Sequence, residues 1–454
     1  MSAHFRFDRR TFLRTLGGAS VAAMATPVFK ALADGGSSDD FYIFIHAAGG
    51  WDVTLSLDPR NQPVGIIQPA STENTKTAGI TQWVDTPLGD GTYNTFNLIQ
   101  PAGSNLVFGA AIGDLAAHYD KLTVVNGLAM NTVSHPDGTV FSATGRHLQG
   151  GRVPSSSIDT MIANSFGTGQ LFPVISSLFP SSLVGSQFDP RAQPLLVDGV
   201  GTVGKVLNRS ETFTSDVDRD NVTAMLTTEA QEIGSVSEYT SAYNAFGLQL
   251  GSLRQMLKGG LRSIFNEYSL QALHPEFNYK GRFQGANAVS AAFAIEAFKQ
   301  NICRCVSFAL GSLDTHNSNY QFHAENQQEI FNIIAALQTT LENTPHPNGV
   351  NKLADKTHIL VISEFCRTPQ INLGMGRDHY PNNSALVISP KFKPNFSFGS
   401  TDPQQLLPQV AKTFSDGDRA IAPPDLLATF LGAFGVDPRQ YMRDGEIVPE
   451  LLAS

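Results

Sequence analysis

Cysteine is scarce: Cys303, Cys305 and Cys366 are the three in 454 residues. Three cannot all pair, and Cys303 and Cys305 stand too close for an easy bridge, so a disulfide framework is excluded. The Cys-x-Cys pair reads instead as part of a buried strand. Long apolar runs are lacking too, and beyond the N-terminus no stretch is long and apolar enough to span a bilayer. Basic charge is short, with 31 Lys and Arg against 40 Asp and Glu and a formal net charge of −9. An acidic chain is a poor match for nucleic acid or an anionic membrane surface. No repeat of fixed period is evident.

The first stretch with a clear message is the N-terminus, "DRRTFLRTLGGASVAAMATPVFKALA". Its paired arginines, Arg9 and Arg10, precede Phe12 and Leu13, a weakly apolar stretch and a small-residue "ALA" ending at Ala33. That order is expected of a twin-arginine signal peptide over residues 1–33, which is set aside in reasoning about the fold. The expected partner is the twin-arginine translocation machinery, and the expected location is the periplasm or beyond. That route carries folded proteins, so a metal could be loaded before export. Residues 1–33 hold five basic residues and one acid, and without them the charge becomes −13.

The remainder, residues 40–454, reads as one α/β domain. "FYIFIHAAGGWD", "KLTVVNGLAM", "CRCVSFALGSLDTH", "DKTHILVISEFCRTP" and "SALVISP" are short apolar runs that predict buried strands. "AVSAAFAIEAFKQNI", "HAENQQEIFNIIAALQTTLENT" and "APPDLLATFLGAFGVDP" carry helical periodicity. Strands alternating with helices imply a central, mostly parallel sheet with helices on both faces. Residues 153–283 are richer in Ser, Gly and Pro and predict a helical and irregular elaboration packed on that sheet, with a helical patch at "YTSAYNAFGLQLGSLRQML".

The strand ends carry the chemistry. Asp52, Asp314 with His316, Glu364, and the Asp378-His379 pair each follow a predicted strand, and so does Ser134-His135. Loops at the carboxyl ends of strands build the site in α/β sheets. Carboxylates and imidazoles together suit one or two divalent ions, zinc or manganese rather than calcium. Taken alone, Asp52 reads as a turn cap and Asp378-His379 as a solvated turn. Their shared position after strands favours a joint site, with Asp52, Asp314, His316, Glu364, Asp378 and His379 as metal ligands. Asp378 stands as ligand or as outer partner to His379.

These residues in this order resemble the alkaline phosphatase superfamily. Sulfatases within it carry a Cys/Ser-x-Pro motif followed by Thr-Gly-Arg. Here "SHPDGTVFSATGR" offers Ser134-x-Pro136, then Thr144-Gly145-Arg146. A closer likeness is to the domain of unknown function 1501 family, through the twin-arginine start, "DTH", "EFCRTP" and "GRDH". The chain departs from the wider superfamily in its Asp314-x-His316 spacing, in Glu364-Phe365 where an Asp-His pair is usual, and in Gly138 where sulfatases carry Arg. The resemblance implies an alkaline phosphatase-like fold and hydrolysis of small anionic esters of phosphate or sulfate. Ser134 is then the candidate nucleophile, with His135 as its base or as an orienting group. Arg146 and Arg377 are the candidates to grip the anion, and Arg367 to support the Glu364 loop. The alternative is a non-catalytic exported binding or assembly protein on the same fold.

Overall fold

The computed structural model describes residues 39–59, 82–84, 93–95, 98–185, 187–202, 261–277, 288–370, 372–374, 376–403 and 405–453, with a few helical residues between 217 and 228. The expected signal at 1–33 and the helical patch at 239–257 lie outside the described residues.

Eight strands form the main sheet. They are β1 (Phe41–Ala47), β2 (Leu122–Ala129), β3 (Phe172–Ser177), β4 (Leu195–Val197), β5 (Cys303–Leu310), β6 (Thr357–Ile362), β7 (Asn382–Ile388) and β8 (Phe396–Phe398). Their order is β8-β2-β7-β6-β1-β5-β3-β4. β7 runs antiparallel to β2 and β6, and the other pairings are parallel. The result is a mostly parallel α/β sheet. β1 lies at its centre, with Ile45 opposite Phe308 of β5 on one side and Val361 of β6 on the other.

The sequence of β1, FYIFIHA, shows why the sheet is covered on both faces. Every residue in it is buried. Phe41, Ile43 and Ile45 enter one core, and Tyr42 and Phe44 the other, because side chains alternate across a strand. The first core is closed by α3 (Ala288–Lys299) and α4 (Ala324–Asn343), through residues such as Phe293 and Phe331. The second is closed by α2 (Ile158–Phe166) and α5 (Pro423–Ala433), through Met161 and Phe430. Before these, α1 (His135–Thr144) follows β2 directly.

Residues 153–283 do more than pack on the sheet. β3 and β4 lie within that span and extend the sheet beyond β5. Both are short and bordered by Pro, Ser and Gly, so neither shows the apolar run that marks the central strands. Toward the end of the span, short helical segments at Leu261–Ile264 and Glu267–Leu273 bury Ile264 and Leu270 in the first core.

The topology fixes where chemistry can gather. β1, β2, β5 and β6 point the same way, so their C-terminal ends share one edge of the sheet. β7 points the opposite way, which brings the loop before it to that same edge.

Candidate metal centre

Five loops meet at this edge. The loop after β2 leads through Ser134 into α1, which places His135 in its first turn. The loop after β5 carries Asp314 and His316, and β6 runs directly into Ser363 and Glu364. His379 and Tyr380 pair antiparallel with Cys366 and Arg367 just before β7, which brings the GRDH loop onto the one that follows Glu364. The loop after β1 supplies Gly49 and Gly50.

Three imidazoles converge on one carboxylate oxygen. The Nε2 atoms of His316, His135 and His379 lie 3.1, 3.3 and 3.4 Å from Asp314 Oδ1. Ligand atoms of His135, Asp314 and His379 lie within 4.8 Å of one another. The rings of His135 and His379 stand edge to face, 4.4 Å apart at 81°. Phe365 packs against both, with ring centroids at 4.8 and 4.5 Å, and forms the apolar floor beneath them.

The opposite nitrogen of each ring is held by an acceptor. His135 Nδ1 lies 2.7 Å from Glu364 Oε1, His316 Nδ1 2.7 Å from Asp378 Oδ1, and His379 Nδ1 2.9 Å from the Val133 carbonyl. A ligating histidine is usually oriented in this way: an outer acceptor fixes its tautomer and leaves the other nitrogen free for the cation. Nitrogen and carboxylate donors of this kind suit zinc or manganese. Two imidazoles and one carboxylate, those of His135, His379 and Asp314, lie close enough together to share a single divalent ion, with His316 beside Asp314.

The outer acceptors are themselves held. Glu364 Oε1 accepts from the Gly49 N–H at 2.8 Å, and Oε2 from the Ser363 hydroxyl at 2.9 Å, with His46 Nε2 3.4 Å away. Burial pushes the Glu364 carboxyl up, but the His135 bond, the His46 charge and the Gly49 N–H outweigh it and hold the group at about 2. Asp314 also settles at about 2: burial raises it, while the Arg367 hydrogen bond and the neighbouring imidazoles lower it further. His135 is raised, first by its hydrogen bond to Glu364. His379 is lowered, chiefly by burial.

Two glycines permit this approach. Gly49 has φ +115°, and a Cβ there would meet the Asp314 nitrogen at 2.3 Å. A Cβ on Gly138 would meet the Glu364 carbonyl oxygen at 2.4 Å. The departure at Gly138 thus has a physical reason: any side chain would push α1, and His135 with it, away from Glu364.

Arg367 ties the loops together from below. Its side chain is fully buried and donates to the carbonyls of Gly49, Gly50, Leu313 and Arg377 and to Asp314 Oδ1 at 2.9 Å. It therefore positions Asp314 as well as the loop beside Glu364.

The remaining sequence candidates lie elsewhere. Asp52 is fully buried and is bonded outside the cluster; its carboxylate accepts from Thr54 and Asn319, with Arg377 Nε 3.3 Å away. Arg377 is also fully buried, so its guanidinium is committed to the interior. Arg146, just past the far end of α1, lies 4.0 Å from Asp444. Ser134 is exposed at the N-cap of α1, next to His135. Glu364 and Asp378 lie behind the imidazoles, as acceptors for their far nitrogens. His46 and Ser363 did not emerge from the sequence as site residues. The one signal for His46 was a lone polar residue near the end of an apolar strand.

No curated protein matches this chain. Among solved structures, the "Crystal structure of Ps i-CgsB in complex with k-i-k-neocarrahexaose" is similar at TM-score 0.38 and 12% identity, over 90% of this chain and 74% of that one. The "Crystal structure of Ps i-CgsB" is similar at TM-score 0.36 and 11% identity, over 90% and 75%. Both likenesses are too distant to bear on the site. Residues 254–446, which include Asp314, His316, Glu364, Asp378 and His379, match the family model described as "Protein of unknown function (DUF1501)", and this supports the family resemblance read from the sequence.

Proposed function

We propose that the chain is an exported protein of alkaline phosphatase-like fold that holds one divalent cation, zinc or manganese, and hydrolyses small phosphate or sulfate esters beside it. The observation that carries this reading is the convergence of three imidazole Nε2 atoms on Asp314 Oδ1, each ring fixed from behind. A divalent ion bound there supplies a Lewis acid that polarises an ester oxygen and lowers the pKa of an attacking hydroxyl. Ser134 stands next to that centre, at the N-terminus of a ten-residue helix whose free N–H groups favour an anion. His135 is better placed as a ligand than as the base for Ser134, because its two nitrogens face Glu364 and the His379–Asp314 pair.

One observation favours a second reading, a non-catalytic metal-holding protein used for binding or assembly. Neither Arg146 nor Arg377 is turned toward the cluster to grip an ester's free oxygens. Elemental analysis of the mature protein, followed by assay with an aryl phosphate and an aryl sulfate, separates the two. The expected result is about one equivalent of bound metal and turnover that Ser134→Ala abolishes. Metal-loaded protein inert towards both esters supports the second reading, and a protein that binds no zinc or manganese removes both.

Export follows from the paired arginines. Replacing Arg9 and Arg10 together by lysine is expected to leave unprocessed precursor in the cytoplasm, read by immunoblot of cell fractions. Normal processing of that double variant would show that another route is used.

A further inference from the structure

Helix α4 begins with polar residues that the fold nevertheless buries. Its start reads HAENQQ, and His323, Asn326 and Gln327 are all buried. His323 is the N-cap, so the three stand at i, i+3 and i+4 and share one face. Buried polar groups need partners, and each of these finds one in a loop at the edge that carries the metal centre. Gln327 Nε2 donates to the Asp52 carbonyl at 2.9 Å and to the Ser56 hydroxyl at 2.6 Å. Asn326 Nδ2 donates to the Ser312 carbonyl at 2.6 Å, which secures a serine held at φ +73°. His323 Nδ1 lies 2.7 Å from the hydroxyl of Thr315, the residue between Asp314 and His316.

The Thr315–His323 contact has two readings, and the place of the hydrogen separates them. A bare Nδ1 would accept the hydroxyl proton, as a base does from a nucleophile. A protonated Nδ1 would donate to Oγ1 and hold it. Nε2 settles the choice: it accepts the Asp52 N–H at 2.9 Å, a donor shared with Gln327 Oε1 at 3.1 Å. Burial keeps the ring neutral, down at about 3, and the start of a helix also disfavours a positive charge. A neutral imidazole has one donor and one acceptor nitrogen. With its lone pair taken by the Asp52 N–H, His323 is the donor to Thr315 and has no basic nitrogen to offer it.

The turn so held is tight. The Thr315 N–H donates to the Leu313 carbonyl at 2.9 Å, and the Leu313 N–H to the Ala48 carbonyl at 3.2 Å. Arg367 grips Leu313 and Asp314 on one side of Thr315, and Asp378 grips His316 on the other. The His323 bond fixes the residue between them.

We propose that His323 is a positioning residue for the metal centre: its Nδ1–H donates to the Thr315 hydroxyl and fixes the turn that presents Asp314 to the cation. The role rests on the reading of the imidazole–carboxylate cluster as a metal centre.

Calorimetric titration of metal-free mature protein with zinc and with manganese tests this in Thr315→Val and Thr315→Ser. Valine keeps the shape of threonine and removes the hydroxyl, whereas serine keeps the hydroxyl and removes the methyl. Valine is expected to weaken metal binding about tenfold or more, as loss of an outer partner does, and serine should bind like the parent. A residue that only filled space would tolerate valine better than serine, so the order of the two is the diagnostic. A second measurement uses the parent protein without metal. With histidine nitrogen isotope-labelled, NMR should show the His323 ring protonated at Nδ1 and bare at Nε2. A ring protonated at Nε2 overturns the assignment. So does a valine variant that binds metal like the parent, or a serine variant weakened as much as the valine one. In either of those cases a parent that binds metal leaves the metal reading standing. A parent that takes up neither ion removes that reading and this role together.

Discussion

Replacing His379 by alanine is expected to lower metal affinity by more than about 100-fold in calorimetric titration of metal-free protein. Loss of an outer partner alone costs roughly 10–100-fold, and loss of a ligand should exceed it. His379 Nε2 lies between His135 Nε2 at 3.0 Å and Asp314 Oδ1 at 3.4 Å, while Nδ1 is tied to the Val133 carbonyl. Deleting the ring removes a donor and also the aromatic contact with Phe365. Glu364→Gln provides the graded comparison. It keeps the size of the side chain but removes the charge behind His135, so it should fall in the roughly 10–100-fold range of outer partners. Affinity should also drop as pH falls. In the metal-free protein the Glu364 bond raises His135, and a cation must displace the proton held there. An affinity unchanged in His379→Ala would take the GRDH loop out of the site.

How far the site was legible follows from these residues. The central strands were plain, because a strand buried on both faces must read as an apolar run, as FYIFIHA, CRCVSFAL and THILVI do. Their order in the sheet was not, because nothing in those runs states which strand lies beside which. The strand-end position of Asp314, His316 and Glu364 was readable for the same reason: a parallel sheet delivers its C-terminal ends to one edge; His379 instead reaches that edge from the start of antiparallel β7, a reversal the apolar runs did not announce. What the sequence did not distinguish was a side chain that faces Asp314 from the acceptor behind it. Glu364 and Asp378 share residue type with Asp314, and only the direction of their side chains puts them at the far nitrogens of His135 and His316. Arg377 was misleading for a similar reason. A guanidinium in a Gly-rich loop looks available, yet the chain turns it inward to Asp52.

Asp52→Asn is expected to destabilise the protein by about 3–5 kcal/mol at neutral pH, the usual cost of stripping one partner from a buried ion pair. Asp52 and Arg377 are both fully buried, 3.3 Å apart. Burial raises the Asp52 carboxyl, but the Arg377 charge and the bonds from Thr54 and Asn319 bring it below its ordinary value. Burial also holds His323 down at about 3, so its Nε2 is free to accept the Asp52 N–H at 2.9 Å. In the variant the Arg377 guanidinium stays in the interior and loses the Asp52 charge 3.3 Å away. The amide also presents a donor where Thr54 and Asn319 already donate. The sign of the pH dependence follows from the lowered carboxyl. Its contribution is complete above the unfolded carboxylate pKa, about 4, and is lost as pH falls through the lower folded value. Urea midpoints for the two proteins should therefore be far apart at pH 7 and should draw together below about pH 4. Metal stoichiometry supplies the decisive contrast. The Asp52 carboxylate is engaged by Thr54, Asn319 and Arg377 and is not among the grouped donors His135, Asp314 and His379, so folded Asp52→Asn protein should bind metal like the parent. A stable variant that has lost its metal would instead make Asp52 a ligand, and a loss below about 1 kcal/mol would show that the pair contributes no more than an exposed one.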